Sequence, residues 1–420
     1  MTLRLALLCV AVACGSPTPE PTTDPAKEPA ADGGPPAESK AKAGVIPAPE
    51  VAFDLPGRST PSPGAHASTP ELDAVKAILR GVVEAHALDP DNPWALSHAI
   101  VALGADAQLE GGVSVVDHLF TEFAVLESVG SEVLVDFPRK RGDVRIEPHT
   151  DLILKAMVER GVKPSRQVTV QGKQLTVGHL YRQSLRTAWV DGANTSGDSY
   201  NDMPWTLQAL ATWAPPGLAW TSDSGRSMTM DALTGAVVDK LGQETLFLRQ
   251  AMAQGQRVQK RGQGIFAYTC GGAHLVQGAG YAVARGFGTD AHRKIASEQL
   301  STYLYRAGIE MPQVDAAMKQ HPEYKVQLIT QRLKFLGHLL ETSHKLAALG
   351  LAPIGDNEAH QLGIVEQQLA QTVHAIDGSS MFSKLGELRE VDEQLYLDLV
   401  GDAAHALRGL DLATGASVSY

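Results

Sequence analysis

The chain has 420 residues, 44% of them hydrophobic and 20% charged, which is enough apolar mass for a large core. A formal net charge of -11, from 36 basic and 47 acidic residues, argues against a nucleic-acid partner and against general attraction to anionic lipid. With cysteines only at positions 9, 14 and 270, a disulfide framework is excluded, so packing must supply the stability.

At the start, Arg4 supplies a positive charge and Leu5 to Val12 an apolar run. That run is far short of the roughly 20 residues a membrane span needs. Ala11, Val12 and Ala13 place small residues just before Cys14. This arrangement resembles the lipobox of bacterial lipoproteins, with Ala11 where leucine is commoner. The resemblance implies removal of residues 1–13 as a signal peptide, a diacylglyceryl group on the Cys14 thiol and an acylated amino terminus. Several acyl chains together anchor stably where one does not. The same small residues also suit cleavage of a soluble secreted product, and either outcome exports the chain. Gly15 stands where an aspartate retains family members in the inner membrane, so the outer membrane is the expected address in a cell with two.

Thirteen of the 24 prolines fall between Ser16 and Pro70, with Phe53 as the one aromatic. Such a stretch buries too little apolar surface to offset its ordering entropy. Residues 14–68 are therefore expected to be a disordered tether reaching about 40 Å as a coil and about 150 Å if polyproline-like. Residues 69–420 form the folded part, as one body or two lobes.

The folded part reads as all-α with a few short strands. Thr69, Pro70, Glu71 and Asp73 open a helix whose Leu72, Val75, Leu79 and Val82 share a face, and Asn92 with Pro93 opens the next. Strand-like alternation interrupts only at Ser131 to Glu147 and Gln167 to Leu175. Late in the chain, Val326, Ile329, Leu333, Leu336 and Leu340 step by three and four, as do Leu362, Val365, Leu369, Val373 and Ile376, predicting amphipathic helices packed sideways. A third late helix is expected to carry Val391, Leu395 and Leu399.

Internal echoes run through these helices. Pro93-Trp94-Ala95-Leu96 returns as Pro204-Trp205-Thr206-Leu207, and Gly178-His179-Leu180 as Gly337-His338-Leu339 and, with one insertion, at Gly272 to Leu275. Histidines near helix starts recur at His98, His149, His179, His274 and His338. The last three are 95 and 64 residues apart, close to multiples of a helix pair. The pattern resembles the α/α toroid of terpenoid cyclases, prenyltransferases and several carbohydrate-active enzymes. A plain helical bundle accommodates it equally.

Two stretches carry candidate chemistry. Between Trp189 and Asp223 lie four of the five tryptophans, together with Tyr200, Asp191, Asp198 and Asp202. Trp189, Tyr200 and Trp205, with His149 and His179, could line a ligand cleft, since flat aromatic faces stack on sugar rings. A pair among Asp191, Asp198 and Asp202 could act on a glycosidic bond if about 5 to 9.5 Å apart. The plainer reading has Asp202 capping the helix behind it and Asp191 making a turn. The second stretch is Cys270-Gly271-Gly272-Ala273-His274. A helix beginning near Gly271 would lower the thiol pKa and place His274 one turn on, suiting a thiolate nucleophile or a soft metal site. Zinc is the one metal the pair suggests, but it needs three or four ligands and no local third exists. The plainer reading makes Cys270 a core residue, with Gly278 and Gly280 letting the next helix pack very close.

Two functions follow as expectations. One is a lipid-anchored envelope protein whose helical domain binds a ligand, a glycan or an envelope partner. The other is an envelope glycoside hydrolase or lyase working through Asp191, Asp198 or Asp202.

Overall fold

The computed structural model describes residues 57–197 and 199–420, so the leader, Cys14 and Asp198 lie outside the described residues. These residues are 61% helix and 11% strand, the strands occurring only in two-stranded pairs. Helix packing therefore makes the core. No described helix is long and apolar enough to cross a membrane.

Helix α1 (Pro70–His86) starts as its sequence predicts: Thr69 Oγ1 accepts from the Leu72 amide at 3.2 Å, and Leu72, Val75, Leu79 and Val82 are buried. Helix α2 (Pro93–Leu103) is capped by Asn92, whose Oδ1 accepts from the Ala95 amide at 3.1 Å. It is a different kind of helix. Every residue from Ala95 to Ala102 is buried, as expected for a helix apolar or small all round rather than along one stripe.

The same contrast divides the rest. Helices α3 (Leu152–Glu159), α5 (Met203–Trp213) and α7 (Ala273–Ala284) are buried on all sides, as are Leu333 to Ala348 of α10 (Lys325–Ala348) and Tyr396 to Leu410 of α12 (Glu393–Ala413). Helices α6 (Met230–Ala253), α9 (Gln299–Gln320) and α11 (Asp356–Gly378) leave one face in water; α4 (Val177–Thr187) and α8 (Asp290–Ser297) are shorter, and two helical pieces of four and seven residues span Val115–His118 and Leu385–Val391. The fully buried helices contact one another in order: α2 on α3, α3 on α5, α5 on α7, α7 on α10, α10 on α12, and α12 on α2. Around them α1 packs on α12, α6 on α7, and α9 and α11 on α10.

Glycines set the closest approaches. A methyl group at Gly278 of α7 would lie 2.4 Å from the carbonyl oxygen of Pro204 in α5, and one at Gly337 of α10 would lie 3.0 Å from the backbone of Ala406 in α12. The expected tight packing at Gly278 is thus present. The sideways packing expected of α10 holds only for its first turns. From Leu333 onward it is enclosed on every side. Val391 is not part of α12: it ends a separate turn, Leu385–Val391, and is 86% exposed. Asp392 intervenes, its Oδ1 accepting from the Leu395 amide at 3.0 Å to start α12 afresh.

Hairpins occupy both expected regions, Val125–Val129 with Glu132–Asp136 and Gln167–Val170 with Lys173–Thr176. An unexpected pair joins the ends: Ser59–Pro61 runs antiparallel to Ser417–Ser419. Beyond it Ser62 Oγ hydrogen-bonds Nδ1 of the buried His344 at 2.8 Å. The folded body therefore begins before Thr69, correcting the tether boundary at 68. Composition alone could not show this, because the C-terminal strand supplies the hydrogen bonds that the proline-rich segment lacks locally.

Candidate metal centre

The two candidate stretches of the sequence meet in one place. A cavity of about 20 Å³, room for a single water or ion, is lined by Trp94, His98, His149, Trp205, Cys270 and His274, with Lys334, His338, Asp398, Gly401, Asp402 and His405 completing it. Four of the five recurring histidines are in this wall. The fifth, His179, is elsewhere, its Nδ1 closing a capping box with Thr176 at the start of α4.

Cys270 is presented by a strained turn. Its φ of 50° is left-handed, as are Gly271 at 62° and Gly272 at 81°, and helix α7 starts only after them at Ala273. A non-glycine residue in this region costs roughly 1 to 2 kcal/mol and persists where the surroundings over-determine it. Here Arg306, fully buried, donates from Nη1 to the Gly271 carbonyl at 2.8 Å and from Nε to Glu310 at 2.7 Å. Asn201 adds a second hold. Its Oδ1 accepts from the Thr269 amide at 3.0 Å, and its carbonyl accepts from Trp205 Nε1 at 3.1 Å.

Cys270 Sγ and one ring nitrogen each of His274 and His338 lie within 4.8 Å of one another. His338 Nδ1 lies 2.9 Å from the Lys334 carbonyl, which can only accept, so Nδ1 carries the proton and the Nε2 lone pair is left over. That Nε2 is buried without a partner, and so is Nδ1 of His274. Burial first, then the charge of Lys155, holds His274 well below its ordinary pKa, and burial followed by His405 does the same for His338. Both are thus neutral imidazoles, the form a metal ligand requires. A thiol and two imidazoles, each imidazole with a buried nitrogen to spare, gathered around an ion-sized space fit a metal ion.

The other walls are built from rings and charges. His149 stacks on Trp205 at 5.1 Å with an interplanar angle of 3°, and the Trp205 and His274 ring centroids are 3.7 Å apart. His405 is 4.0 Å from the His338 ring. Its Nδ1 donates to Glu341 Oε2 at 2.7 Å, while Lys345 bonds Glu341 Oε1 at 2.6 Å and Glu159 Oε1 at 2.5 Å. Lys334 Nζ is 3.2 Å from Asp398 and 3.9 Å from Asp402.

Asp202 stands at the N-cap of α5, but its side chain makes no cap hydrogen bond. It accepts instead from His149 Nδ1 at 2.9 Å and Arg139 at 2.8 Å. Burial opposes ionisation there, yet the His149 and Arg139 bonds hold its carboxyl below the usual value. Asp191 is exposed in a hairpin and pairs with Arg226 at 3.3 Å, and Arg226 lies over the half-buried Trp189 ring at 4.0 Å. Tyr200 donates to the Gly192 carbonyl at 3.0 Å. Asp191, Trp189 and Tyr200 are not among the residues lining this cavity.

Sequence reasoning missed His338 as third donor and all of His405, Glu341, Lys334, Asp398 and Asp402. The Gly-His-Leu echo had marked His338. No comparable signal marked the others. Comparison with protein-family models, curated proteins and solved structures finds no match to this chain.

Proposed function

We propose that the chain is an exported zinc protein whose Cys270, His274 and His338 hold one ion at the centre of its helical body. The observation that carries this reading is the clustering of Cys270 Sγ with one ring nitrogen each of His274 and His338 within 4.8 Å, in two histidines that each keep a buried nitrogen without a partner. One thiolate and two imidazoles are a zinc donor set, and three protein ligands with an open fourth position is the pattern of catalytic rather than structural zinc. When bound, zinc would act as a Lewis acid toward whatever occupies that position. The hydrogen bond from His338 Nδ1 to the Lys334 carbonyl would orient that ligand.

The order of helix contacts, with six enclosed helices each touching the next and the last touching the first, supports an α/α-toroid reading of the body. The lipobox resemblance adds an anchor at Cys14 and an envelope address, the outer membrane in a cell with two, where a glycan or envelope protein would be the partner. The glycosidase reading draws less support, since Asp202 is engaged by Arg139 and His149 and Asp191 pairs with Arg226 at the surface.

Elemental analysis of the full chain purified without chelator tests the proposal. About one zinc per chain is expected, falling below about a tenth in Cys270→Ser and His338→Ala. Folded wild-type protein that stays zinc-free after incubation with excess zinc sinks it.

A further inference from the structure

We propose a second site, an oxyanion site at the joined ends of α2 and α3, which takes a phosphate group either free or carried by a lipid headgroup. The depression there is about 430 Å³ and is lined by Ala105, Asp106, Arg160, Lys163, Ser165 and Arg166 among others. It shares no lining residue with the metal cavity.

Arg160 is the observation that asks for a ligand. It follows the last residue of α3, half-buried, lines the depression, makes no side-chain hydrogen bond among the described residues, and has its Nε enclosed without a partner. Among the described residues no carboxylate lies within ion-pair distance of it. Arg408, which is not in the wall of the depression, sets a second positive charge against Arg160: it is 2% exposed, gives one N–H to the Ser417 carbonyl at 2.7 Å, and has a buried Nε without a partner. Burial, then Arg408, pushes the Arg160 guanidinium down to about 10. The dipole at the end of α3 favours a cation at this point but satisfies none of its N–H groups. Glu159 and Asp411 offset part of the Arg408 repulsion from a distance, but no acceptor touches the Arg160 guanidinium among the described residues, and an anion in the depression would supply one.

The rest of the depression suits that anion. Lys163 and Ser165 are exposed on the loop after α3, and Arg166 is held in place by Ser114 at 3.0 Å and Asp117 at 3.1 Å. Asp106 is the one carboxylate in the wall, against three cations. A side chain at Gly104, whose φ is 110°, would come within 3.3 Å of the Arg160 guanidinium, so glycine keeps that side open. The planar fork of arginine matches the oxygens of a phosphate, and lysine adds a point charge. Because the whole chain carries -11, anions are not drawn to it generally, and binding here must be local and salt-sensitive.

Thermal unfolding and calorimetric titration of the full chain with inorganic phosphate, against chloride at matched ionic strength, test this. Phosphate at saturating concentration is expected to raise the melting midpoint by about 2 °C. Arg160→Met should abolish the rise, and Lys163→Gln, a change on an exposed loop, should weaken binding about tenfold, both with zinc content unchanged. In chloride, Arg160→Met should melt no lower than wild type. A lower midpoint there would assign the guanidinium a structural partner and overturn the proposal. For the source, Cys14→Ser protein is mixed with vesicles of phosphatidylcholine with and without phosphatidylglycerol. Binding to the anionic vesicles that Arg160→Met loses identifies a headgroup, and a response to phosphate alone identifies the free ion. No response to phosphate or to either vesicle also overturns it.

Discussion

Glu341 Oε2 accepts a 2.7 Å hydrogen bond from Nδ1 of His405, 64 residues further along, and both side chains are closed to solvent. The other oxygen of Glu341 is held by Lys345, so one carboxylate ties α10 to α12 and fixes the ring that walls the metal cavity. Despite burial, Lys345 and then His405 keep Glu341 ionised, well below the usual carboxylate range.

Removing that charge takes the carboxylate from His405 and leaves Lys345 with the Glu159 carboxylate alone in a closed interior. Glu341→Gln is expected to cost about 3 kcal/mol, the scale for breaking a buried pair from one side. Urea unfolding measures it. A loss below about 1 kcal/mol would show that the carboxylate does not hold α10 to α12.

Cys270 carries a left-handed backbone strain, held by the bonds of Arg306 and Asn201 to its neighbours. Cys270→Gly should leave the metal-free protein as stable as wild type or more so, by about 1 kcal/mol, while abolishing zinc binding. Calorimetry on metal-free and zinc-loaded samples reads both. A clear loss of metal-free stability would make Cys270 a packing residue first.

Close approach of α5 and α7 depends on Gly278. Gly278→Ala places a methyl group 2.4 Å from the Pro204 oxygen and should cost about 2 to 3 kcal/mol. Gly308, in α9 with nothing within 4 Å, provides the contrast: Gly308→Ala should stabilise by about 0.5 to 1 kcal/mol. Equal midpoints for the two variants would rule out the close packing.

His344 makes stability pH-dependent. Burial, then the charge of His66, pushes it from 6.5 down to about 4. As pH falls through 6.5 the unfolded chain takes a proton that the folded chain refuses until about pH 4. The stability His344 allows is full above pH 6.5 and is lost progressively below it, by about 3 kcal/mol at pH 4. Asp136, pushed up to about 6 by burial and then by Glu127, works in the opposite sense. The comparison is therefore between wild type and His344→Asn: the stability advantage of wild type should shrink between pH 6.5 and 4. A constant difference would place His344 outside this account.

Local chemistry was legible where it is local. Thr69 with Pro70 and Asn92 with Pro93 announce helix starts because a cap needs only residues three positions apart. Cys270 and His274 declared themselves as a pair one turn apart. The Pro-Trp echo placed Trp94 and Trp205 at equivalent helix starts, and both now face one cavity. Val391 misled because apolar spacing says nothing of a break at Asp392.

Residue order alone thus established a helical body, its capping, and the thiol and imidazole from which a metal site could begin. It could not supply the third donor. Around His338 and His405, helices α10 and α12 are enclosed on every side, so no polar face reveals which way either points. Only the closing of helix on helix, with Gly337 against Ala406, turns those side chains toward Cys270, since contacts between residues 64 and more apart are decided by packing and not by spacing along the chain.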